Sequence, residues 1–549
     1  MSDHLKTRLS RPTDSIAPSY DAVIIGSGYG GGVAAARLAR AGKRVAVVER
    51  GREILTGEFP SRFPDLRREM RVRGRNIRIG SDTALFDVRV GDDMHVLVGN
   101  GLGGGSLVNA GVALRPDPRV FADPVWPGQL ARDGLLDEGY RRAARWLRPA
   151  ADPRAREMTK FGALAAAARD MGYAPVASPV VVSFDDNVNP AGIAQPACTR
   201  CGDCCAGCNV GAKNTVALTY LPEAARHGAA VFTELAARHV EKQKDGRWRV
   251  VLRRTDAAGR GAEIGVTSDI VVLAAGTLGS TEILLRSRRN GLPVSDRLGQ
   301  GFSANGDIIA FGYGARHPVC AVGVGHPPKA DVGAVGASVS GQLILKDAAD
   351  LACELNIQEG AVPSALAPLL PVLFVPNGRL LGAVQSLISG VYKGPFASLQ
   401  TFFAVSHDSA AGQLCLDDDE LRLCWPGARD EPVYQRIDEL LATLVGKLGG
   451  AYVKNPLAGT VMGHQPATAH PLGGCGMGAD RGSGVVDHRG RVFDGSSAAG
   501  ASGIHSGLYV IDGAVIPRSL GVNPLFTITA LAERALLHMG AERGFSVAD

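Results

Sequence analysis

The sequence predicts an α/β protein built from two lobes, and two observations carry this prediction. The chain has 549 residues, which is too many for a single hydrophobic core. Over residues 21–48, a short apolar strand, a glycine-rich turn, a helix of small residues and a second apolar strand follow one another. This order is typical of a β-α-β unit with parallel strands.

The glycine-rich turn has the spacing of a nucleotide-binding loop. Gly26, Gly28 and Gly31 form the pattern G-x-G-x-x-G directly after the first strand. The first glycine permits a tight turn, the second lets the backbone approach a pyrophosphate, and the third lets the helix pack closely on the strand. Glu49 ends the second strand, where its carboxylate can accept hydrogen bonds from a ribose. The sequence therefore predicts Rossmann-type binding of NAD or FAD, and the acidic Glu49 argues against NADP.

Composition excludes several classes of protein. The net charge is only +5, and the chain contains no run of Lys and Arg that would indicate a nucleic-acid partner. No apolar stretch reaches the roughly 18 residues that a transmembrane helix needs. The first 20 residues are polar and lack the apolar core of a secretory signal, so we expect a cytoplasmic protein.

Four further segments narrow the prediction to one family. They comprise residues 99–116, 271–285, 470–475 and 507–533, and two of them are again rich in glycine. Together with the β-α-β unit, and in this order, they resemble the glucose–methanol–choline (GMC) oxidoreductases. Within that family the pattern is most similar to the bacterial cholesterol oxidase-like branch. The resemblance covers roughly half of the chain and implies FAD as the cofactor and an alcohol as the substrate.

The resemblance also implies an architecture. A glutathione-reductase-like FAD-binding domain would be assembled from residues 18–115, 210–310 and 465–549. Residues 116–209 and 311–464 would form an α+β substrate domain with an antiparallel sheet, including strands at 401–405 and 413–416.

The family pattern assigns cofactor contacts to particular residues. The ADP half of FAD would be held by the first glycine turn and Glu49, and Val240 would border the adenine. The expected contacts with the pyrophosphate, ribityl chain and flavin ring are Gly103, Gly104, Ser106, Asn109, Asp512, Asn523 and Pro524.

His470 and Asn523 match the active-site pair of the family. An imidazole can accept the hydroxyl proton near neutral pH while hydride passes from carbon to flavin N5, and an amide can orient the hydroxyl without adding charge. Two structural alternatives stay open: a core histidine, and an asparagine that caps the helix beginning near Pro524. Glu359 is the best match for a third, acidic group of the sterol branch, and Glu354 competes with it.

An apolar, proline-broken segment at residues 364–376 bears on the substrate. It would either cover the pocket or lean on a lipid surface, which favours a sterol-like or other bulky apolar alcohol, or simply pack inside the substrate domain. The expected electron acceptor is oxygen or an acceptor protein.

Five of the ten cysteines lie within residues 198–208. Cys198, Cys201, Cys204 and Cys208 follow the C-x2-C-x2-C-x3-C spacing of bacterial ferredoxins, which predicts an iron–sulfur cluster that relays single electrons. In two-cluster ferredoxins the fourth cysteine serves the other cluster, so a four-iron cluster here needs Cys205, Cys208 or a distant cysteine to complete it. Zinc, a disulfide and free thiols are the alternatives.

Two other functions compete with oxidation of a bulky alcohol. A sugar or polyol dehydrogenase could pass electrons through the cysteine run to a partner protein. A flavin-binding electron carrier or sensor could lack alcohol turnover altogether. The presence of both His470 and Asn523 favours an enzyme, because an electron carrier needs neither.

Overall fold

The computed structural model describes residues 3–255, 263–374, 390–454, 463–497 and 503–549. Within these ranges no helix combines the length and apolar character needed to cross a membrane. The α-helices of the described ranges are Tyr29–Arg40, Phe63–Arg68, Arg119–Ala122, Gln129–Arg132, Leu135–Leu147, Thr159–Arg169, Tyr220–Arg226, Gly276–Arg289, Leu370–Phe374, Pro432–Lys447 and Leu525–Arg543.

The largest sheet has eight strands around a parallel core. Its main path, in spatial order, is Ala230–Phe232, Val45–Val48, Ser19–Ile25, Glu263–Leu273, Trp248–Arg254 and Leu235–Lys242. The first four strands run parallel, and the last two extend the sheet with antiparallel pairing. The carboxyl ends of these four parallel strands therefore lie at one edge of the sheet, where ligands of such sheets bind.

Strand Glu263–Leu273 joins two parts of this sheet because it is longer than its neighbours. Its first half pairs antiparallel with Trp248–Arg254, and its last three residues pair parallel with Ile504–Val510. Strand Arg491–Phe493 completes the edge. Buried Val, Ile and Leu side chains fill the parallel strands on both faces, as expected where helices cover both sides.

A second, six-stranded sheet is antiparallel. In spatial order its strands are Ala451–Val453, Ile308–Tyr313, Gln400–Val405, Leu355–Gly360, Gly341–Leu345 and Val176–Ala177. The strand expected at 401–405 thus lies inside this sheet. The strand expected at 413–416 is Gly412–Asp417, which instead pairs with Gln300–Phe302 and Glu420–Cys424 in a separate sheet.

Three smaller sheets complete the described chain. A five-stranded sheet contains Ala467–Thr468, His95–Gly99, Phe86–Val90, Met70–Gly74 and Ile77–Ile79. The two-stranded pairs are Asn187–Val188 with Ala194–Gln195 and Ala150–Ala151 with Pro179–Val180.

The two large sheets fall in different parts of the chain. Residues 18–115, 210–310 and 465–549 contain every strand of the eight-stranded sheet. The six-stranded sheet lies in 116–209 and 311–464, apart from the first residues of Ile308–Tyr313. The α/β fold class with an added antiparallel sheet is confirmed, and the division of the chain into two domains stays a prediction.

Candidate active site

The first glycine turn has the close packing that its spacing predicts. Gly26 has φ +93°, and a Cβ there would overlap the carbonyl oxygen of Ala274. A Cβ on Gly31 would overlap the Gly26 carbonyl, so helix Tyr29–Arg40 can approach the strand only without a side chain. Gly28, at the N-terminus of this helix, has open space around its Cβ position. That space, in front of free helix N–H groups, suits a pyrophosphate.

Ser27 ties the first glycine turn to the second. Its hydroxyl donates to Glu49 Oε2 at 2.6 Å and accepts from the Gly103 backbone N–H at 2.9 Å. Glu49 Oε1 accepts from the Gly51 N–H at 2.9 Å. Glu49 is therefore held at the end of its strand, beside the loop that the cofactor must pass.

The second glycine loop approaches the first at backbone distance. Gly103 and Gly104 have φ +114° and +54°, and a Cβ on Gly104 would lie 2.9 Å from the Gly28 Cα. The Ser106 hydroxyl is used within the protein: it donates to the Gly103 carbonyl at 2.6 Å and accepts from the Val216 N–H at 3.0 Å. Ser106 therefore shapes the loop.

Asn109 carries an unsatisfied polar atom at the end of this loop. Its Nδ2 donates to the Tyr29 hydroxyl at 2.7 Å, whereas its Oδ1 is buried and has no hydrogen-bond partner. A buried acceptor without a donor is unfavourable, so it indicates a ligand that supplies one. Together with the space at Gly28, this atom shows that the two loops fit a long dinucleotide such as FAD.

Asp512 lies at the carboxyl edge of the sheet, after strand Ile504–Val510. It accepts from the Gly276 N–H at 2.8 Å, the Ser280 hydroxyl at 2.5 Å and the Ala514 N–H at 2.8 Å. Burial raises the pKa of the Asp512 carboxyl to about 6. Val240 lies farther out, on the antiparallel extension, where it is buried and donates its N–H to Ser287 at 2.9 Å.

His470 and Asn523 are brought together from distant parts of the chain. His470 Nε2 lies 3.4 Å from Asn523 Nδ2, and Asn523 Oδ1 accepts from Gln358 Nε2 at 2.6 Å. Helix Leu525–Arg543 begins after Pro524 and has no side-chain cap, so these two contacts, not capping, occupy the Asn523 amide. The His470 side chain keeps 19% of its surface exposed. It therefore remains accessible to a small molecule.

Asp307 is the residue that sequence reasoning missed. Its Oδ1 lies 2.8 Å from His470 Nδ1, and its Oδ2 accepts from the Thr468 hydroxyl at 3.0 Å and the Ala469 N–H at 2.8 Å. An ionised carboxylate only accepts, so Nδ1 carries the proton and Nε2 presents a lone pair. No local sequence motif identifies Asp307, because its partner His470 lies 163 residues away in the chain.

Asn305 connects the segment that carries Asp307 to the segment that carries Asn523. Its amide donates to the Val522 carbonyl at 2.9 Å and accepts from the Leu520 N–H at 2.8 Å. It thus connects the turn before Asp307 to the segment that carries Asn523.

The prediction that Glu359 joins the pair needs correction. Glu359 Oε2 lies 2.5 Å from Lys160 Nζ, and Oε1 accepts from the N–H groups of Ser340 and Gly341 at 2.8 and 2.6 Å. Successive side chains of a strand point to opposite faces, and Gln358 faces Asn523, so Glu359 points away. Burial raises the pKa of the Glu359 carboxyl, and both members of this ion pair are fully buried. The competitor Glu354 instead pairs with Arg119 and Lys346.

Most of the described part of the apolar segment, residues 364–374, is buried or half-buried. Phe374 packs against Phe311, Tyr313 and Phe396, whereas Val372 is 60% exposed. Residues 375 and 376 lie outside the described ranges. Packing inside the substrate domain therefore accounts for most of the segment, and contact with a lipid surface stays a prediction.

The cysteine run forms one loop around the 3₁₀-helix Cys204–Ala206, and none of the ten cysteines forms a disulfide. Burial raises the pKa of the Cys201 thiol to about 12 and that of Cys205 to about 11. Lys213 connects this loop to the second glycine loop, because its ammonium donates to the carbonyls of Asn109 at 2.5 Å, Leu107 at 3.2 Å and Cys204 at 3.2 Å.

Comparison with known proteins agrees with this geometry. The chain matches the N-terminal GMC oxidoreductase domain over residues 20–303 and the C-terminal domain over residues 451–532. A cholesterol oxidase of Mycobacterium tuberculosis is 30% identical, over 94% of this chain and 90% of that protein. A cholesterol oxidase of Acinetobacter baumannii is 27% identical over 95% of both chains.

The names of more distant relatives refer to other alcohols. The long-chain-alcohol oxidase FAO4B of Arabidopsis thaliana is 23% identical over 93% of this chain and 66% of that protein. The crystal structure of pyridoxine 4-oxidase from Mesorbium loti superposes with a TM-score of 0.55 at 17% identity, covering 94% of this chain and 99% of that chain, and shows the same fold. With two family domains matched and the flavin loops and the His470–Asn523 pair in place, the chain belongs to the GMC oxidoreductases and is an FAD-dependent enzyme acting on CH–OH donors.

Proposed function

We propose that this enzyme oxidises the hydroxyl group of a bulky, apolar alcohol, sterol-like or long-chain, to a carbonyl group. The observation that carries the proposal is the hydrogen bond of 2.8 Å between His470 Nδ1 and Asp307, which turns Nε2 toward the Asn523 amide. The apolar character of the substrate is supported by relatives named cholesterol oxidase and long-chain-alcohol oxidase.

His470 acts in this proposal as the base. Its Nε2 accepts the hydroxyl proton, and the Asp307 carboxylate stabilises the positive charge that develops on the ring. The carboxylate cannot turn away, since Thr468 and Ala469 hold its second oxygen. FAD, when bound, accepts the hydride that leaves the alcohol carbon.

Asn523 orients the alcohol. Its Nδ2 lies 3.4 Å from His470 Nε2, so one oxygen placed beside both can accept a hydrogen bond from the amide while it gives its proton to the ring. Gln358 fixes which end of the amide faces the substrate, because it donates to Oδ1 at 2.6 Å. The pair therefore positions the hydroxyl and removes its proton in one arrangement.

The test is anaerobic reduction of the bound flavin, followed at its visible absorption band. We expect sterols or long-chain alcohols to bleach the flavin and sugars to leave it oxidised. His470→Ala should lower the rate of bleaching by about 10²–10⁴-fold with FAD still bound, since a positioned base contributes that much. The control His317→Ala changes an exposed histidine and should keep the wild-type rate. Bleaching by sugars alone would refute the apolar substrate, and an unimpaired His470→Ala would refute the base.

One observation favours a second candidate, a dehydrogenase that gives its electrons to a partner protein. Lys213 links the cysteine loop to the flavin loop through three carbonyl groups, and oxidation by oxygen alone requires no such loop. This candidate needs an iron–sulfur cluster as its second cofactor. Turnover with oxygen against turnover with the one-electron dye ferricyanide distinguishes the two.

A further inference from the structure

The cysteine loop is the one motif of the sequence that alcohol oxidation by FAD does not use. Cys204 is buried, and Cys198 and Cys208 pack against the same hydrophobic cluster. Cys201 is held in place through its carbonyl, which accepts from the Val324 N–H at 2.8 Å. The thiols of Cys198, Cys201, Cys204 and Cys208 lie near enough to act on one another electrostatically. The four thiols of this short run are therefore neighbours in the folded chain.

Backbone N–H groups point at these sulfur atoms. Cys198 Sγ accepts from the Arg200 N–H at 3.3 Å, and Cys204 Sγ accepts from the Ser338 N–H at 3.5 Å. The Asp203 N–H does the same for Cys201. Such donors stabilise thiolates and are among the groups that set the potential of iron–sulfur clusters.

Lys213 places a buried amino group beside the loop, and burial lowers the pKa of this group. The side chain is 1% exposed, and among the described residues no carboxylate forms an ion pair with it. A buried ammonium group without an opposite charge is unfavourable. A cluster held by four thiolates carries negative charge and would compensate it.

The spacing of the sulfur atoms argues against a single zinc ion. Zinc holds its thiolates about 2.3 Å from the metal, which places them about 4 Å apart. Among the described residues, no three of these sulfur atoms lie within 4.8 Å of one another. The one triad that does is Asp133, His488 and His538, where Arg534 already occupies the space as a cation. A cluster of several irons is wider than one ion and does not require its thiolates to lie so close together.

We propose that Cys198, Cys201, Cys204 and Cys208 bind one iron–sulfur cluster, and that Cys205 is not a ligand. Cys205 stands outside the C-x2-C-x2-C-x3-C spacing that the other four cysteines follow. Cys208 and Leu107 of the flavin loop line the same cavity of about 440 Å³.

The role of the cluster as a relay rests on the proposed alcohol oxidation, although its presence does not. Oxidation of one alcohol releases two electrons and two protons. The protons would leave through His470 and solvent, and a cluster held by these cysteines would supply a one-electron carrier through which the two electrons could pass one after the other. A one-electron acceptor protein, of the haem or iron–sulfur class, would reoxidise it each time.

The experiment uses the full-length FAD protein purified without oxygen. We expect about three or four irons and a similar amount of acid-labile sulfide per FAD, with a broad absorption near ~400 nm that dithionite bleaches and an electron paramagnetic resonance signal in one redox state. Cys201→Ser and Cys208→Ser should lose the signal and most of the iron. Cys205→Ser is the matched control from the same loop and should keep both, as should the distant Cys353→Ser.

Each outcome has a defined meaning. Absence of iron from wild type, even after incubation with ferrous iron and sulfide, would overturn the proposal, and so would zinc in its place. Equal iron in all four variants would show nonspecific metal, and loss of iron in Cys205→Ser would refute the ligand set. FAD content reports whether a variant folds. If iron is present but alcohols do not bleach the flavin, the cluster proposal holds and the proposed function is refuted. If alcohols bleach the flavin but iron is absent, the proposed function holds and the cluster proposal is refuted.

Discussion

Asp307 Oδ1 lies 2.8 Å from Nδ1 of His470, and this contact determines which nitrogen of the imidazole faces the substrate. The two residues stand 163 positions apart, one at the start of a strand in the antiparallel sheet and the other in the loop that follows the five-stranded sheet. The contact thus joins the six-stranded sheet to the five-stranded sheet at the candidate active site. A change in either residue should act on the rate and not on the binding of FAD.

Asp307→Asn should therefore slow flavin reduction while FAD stays bound. The amide keeps the size of the carboxylate but loses the charge that stabilises the protonated ring, and it can orient the wrong ring nitrogen. We expect a fall of about 10²–10⁴-fold in the anaerobic reduction rate. Asp137→Asn, whose side chain is 86% exposed, is the control. An unchanged rate in Asp307→Asn would show that His470 does not depend on this contact.

Gln358→Leu should act through Asn523. It removes the donor at 2.6 Å from Asn523 Oδ1, so the amide loses its fixed orientation and keeps an unpaired buried acceptor. An unsatisfied buried group costs about 1–3 kcal/mol, so the reduction rate should fall by about 10-fold or more. Stopped-flow measurement over a range of alcohol concentrations separates this rate from weaker substrate binding. Gln435→Leu, on an exposed helix surface, should leave both unchanged, and the same result for Gln358→Leu would contradict the positioning role.

Lys160→Met should destabilise the fold, because Glu359 would be left buried without an opposite charge. Breaking a buried ion pair from one side costs about 3–5 kcal/mol, measured here as the free energy of unfolding in urea. The double variant Lys160→Met with Glu359→Gln should recover part of this loss. A Glu359→Gln variant that folds and binds FAD should keep the wild-type rate of flavin reduction. A fall of about 100-fold in this rate would instead show that Glu359 takes part in the reaction.

His407 should make the protein less stable in acid. Burial, helped by Arg518, lowers the pKa of the imidazole to about 4, below its ordinary value of about 6.5. The unfolded chain therefore takes up the proton first as pH falls. The contribution of the neutral ring is complete above about pH 6.5 and is lost toward pH 4, a change of about 3 kcal/mol.

The measurement is urea unfolding of wild type and His407→Gln between pH 7 and pH 4. The difference in unfolding free energy between the two proteins should shrink as pH falls, since only wild type carries the buried ring. His407 lies against Gly521, two residues before Asn523, so flavin reduction should be followed in the same samples. A difference that does not vary with pH would show that the ring titrates normally.

The sequence alone determined the parts of this protein that depend on local spacing. The β-α-β unit, the glycines at 26, 28 and 31 and the position of Glu49 follow from patterns a few residues long, because the backbone geometry of a tight turn tolerates few alternatives. The pair His470 and Asn523 could be named from short motifs that resemble the family pattern, although nothing local showed that the two residues touch.

Only the tertiary structure decided which side chains meet. Asp307 has no motif, and Gln358 and Glu359 can be told apart only once the strand Leu355–Gly360 has its register in the sheet. A shift of one residue moves a side chain to the opposite face, so the sequence identified the right strand but the wrong neighbour. The contacts of Lys213 with the cysteine loop and the flavin loop were likewise visible only in the folded chain. These contacts depend on long-range packing. Many residues together determine that packing, so no single position in the sequence indicates it.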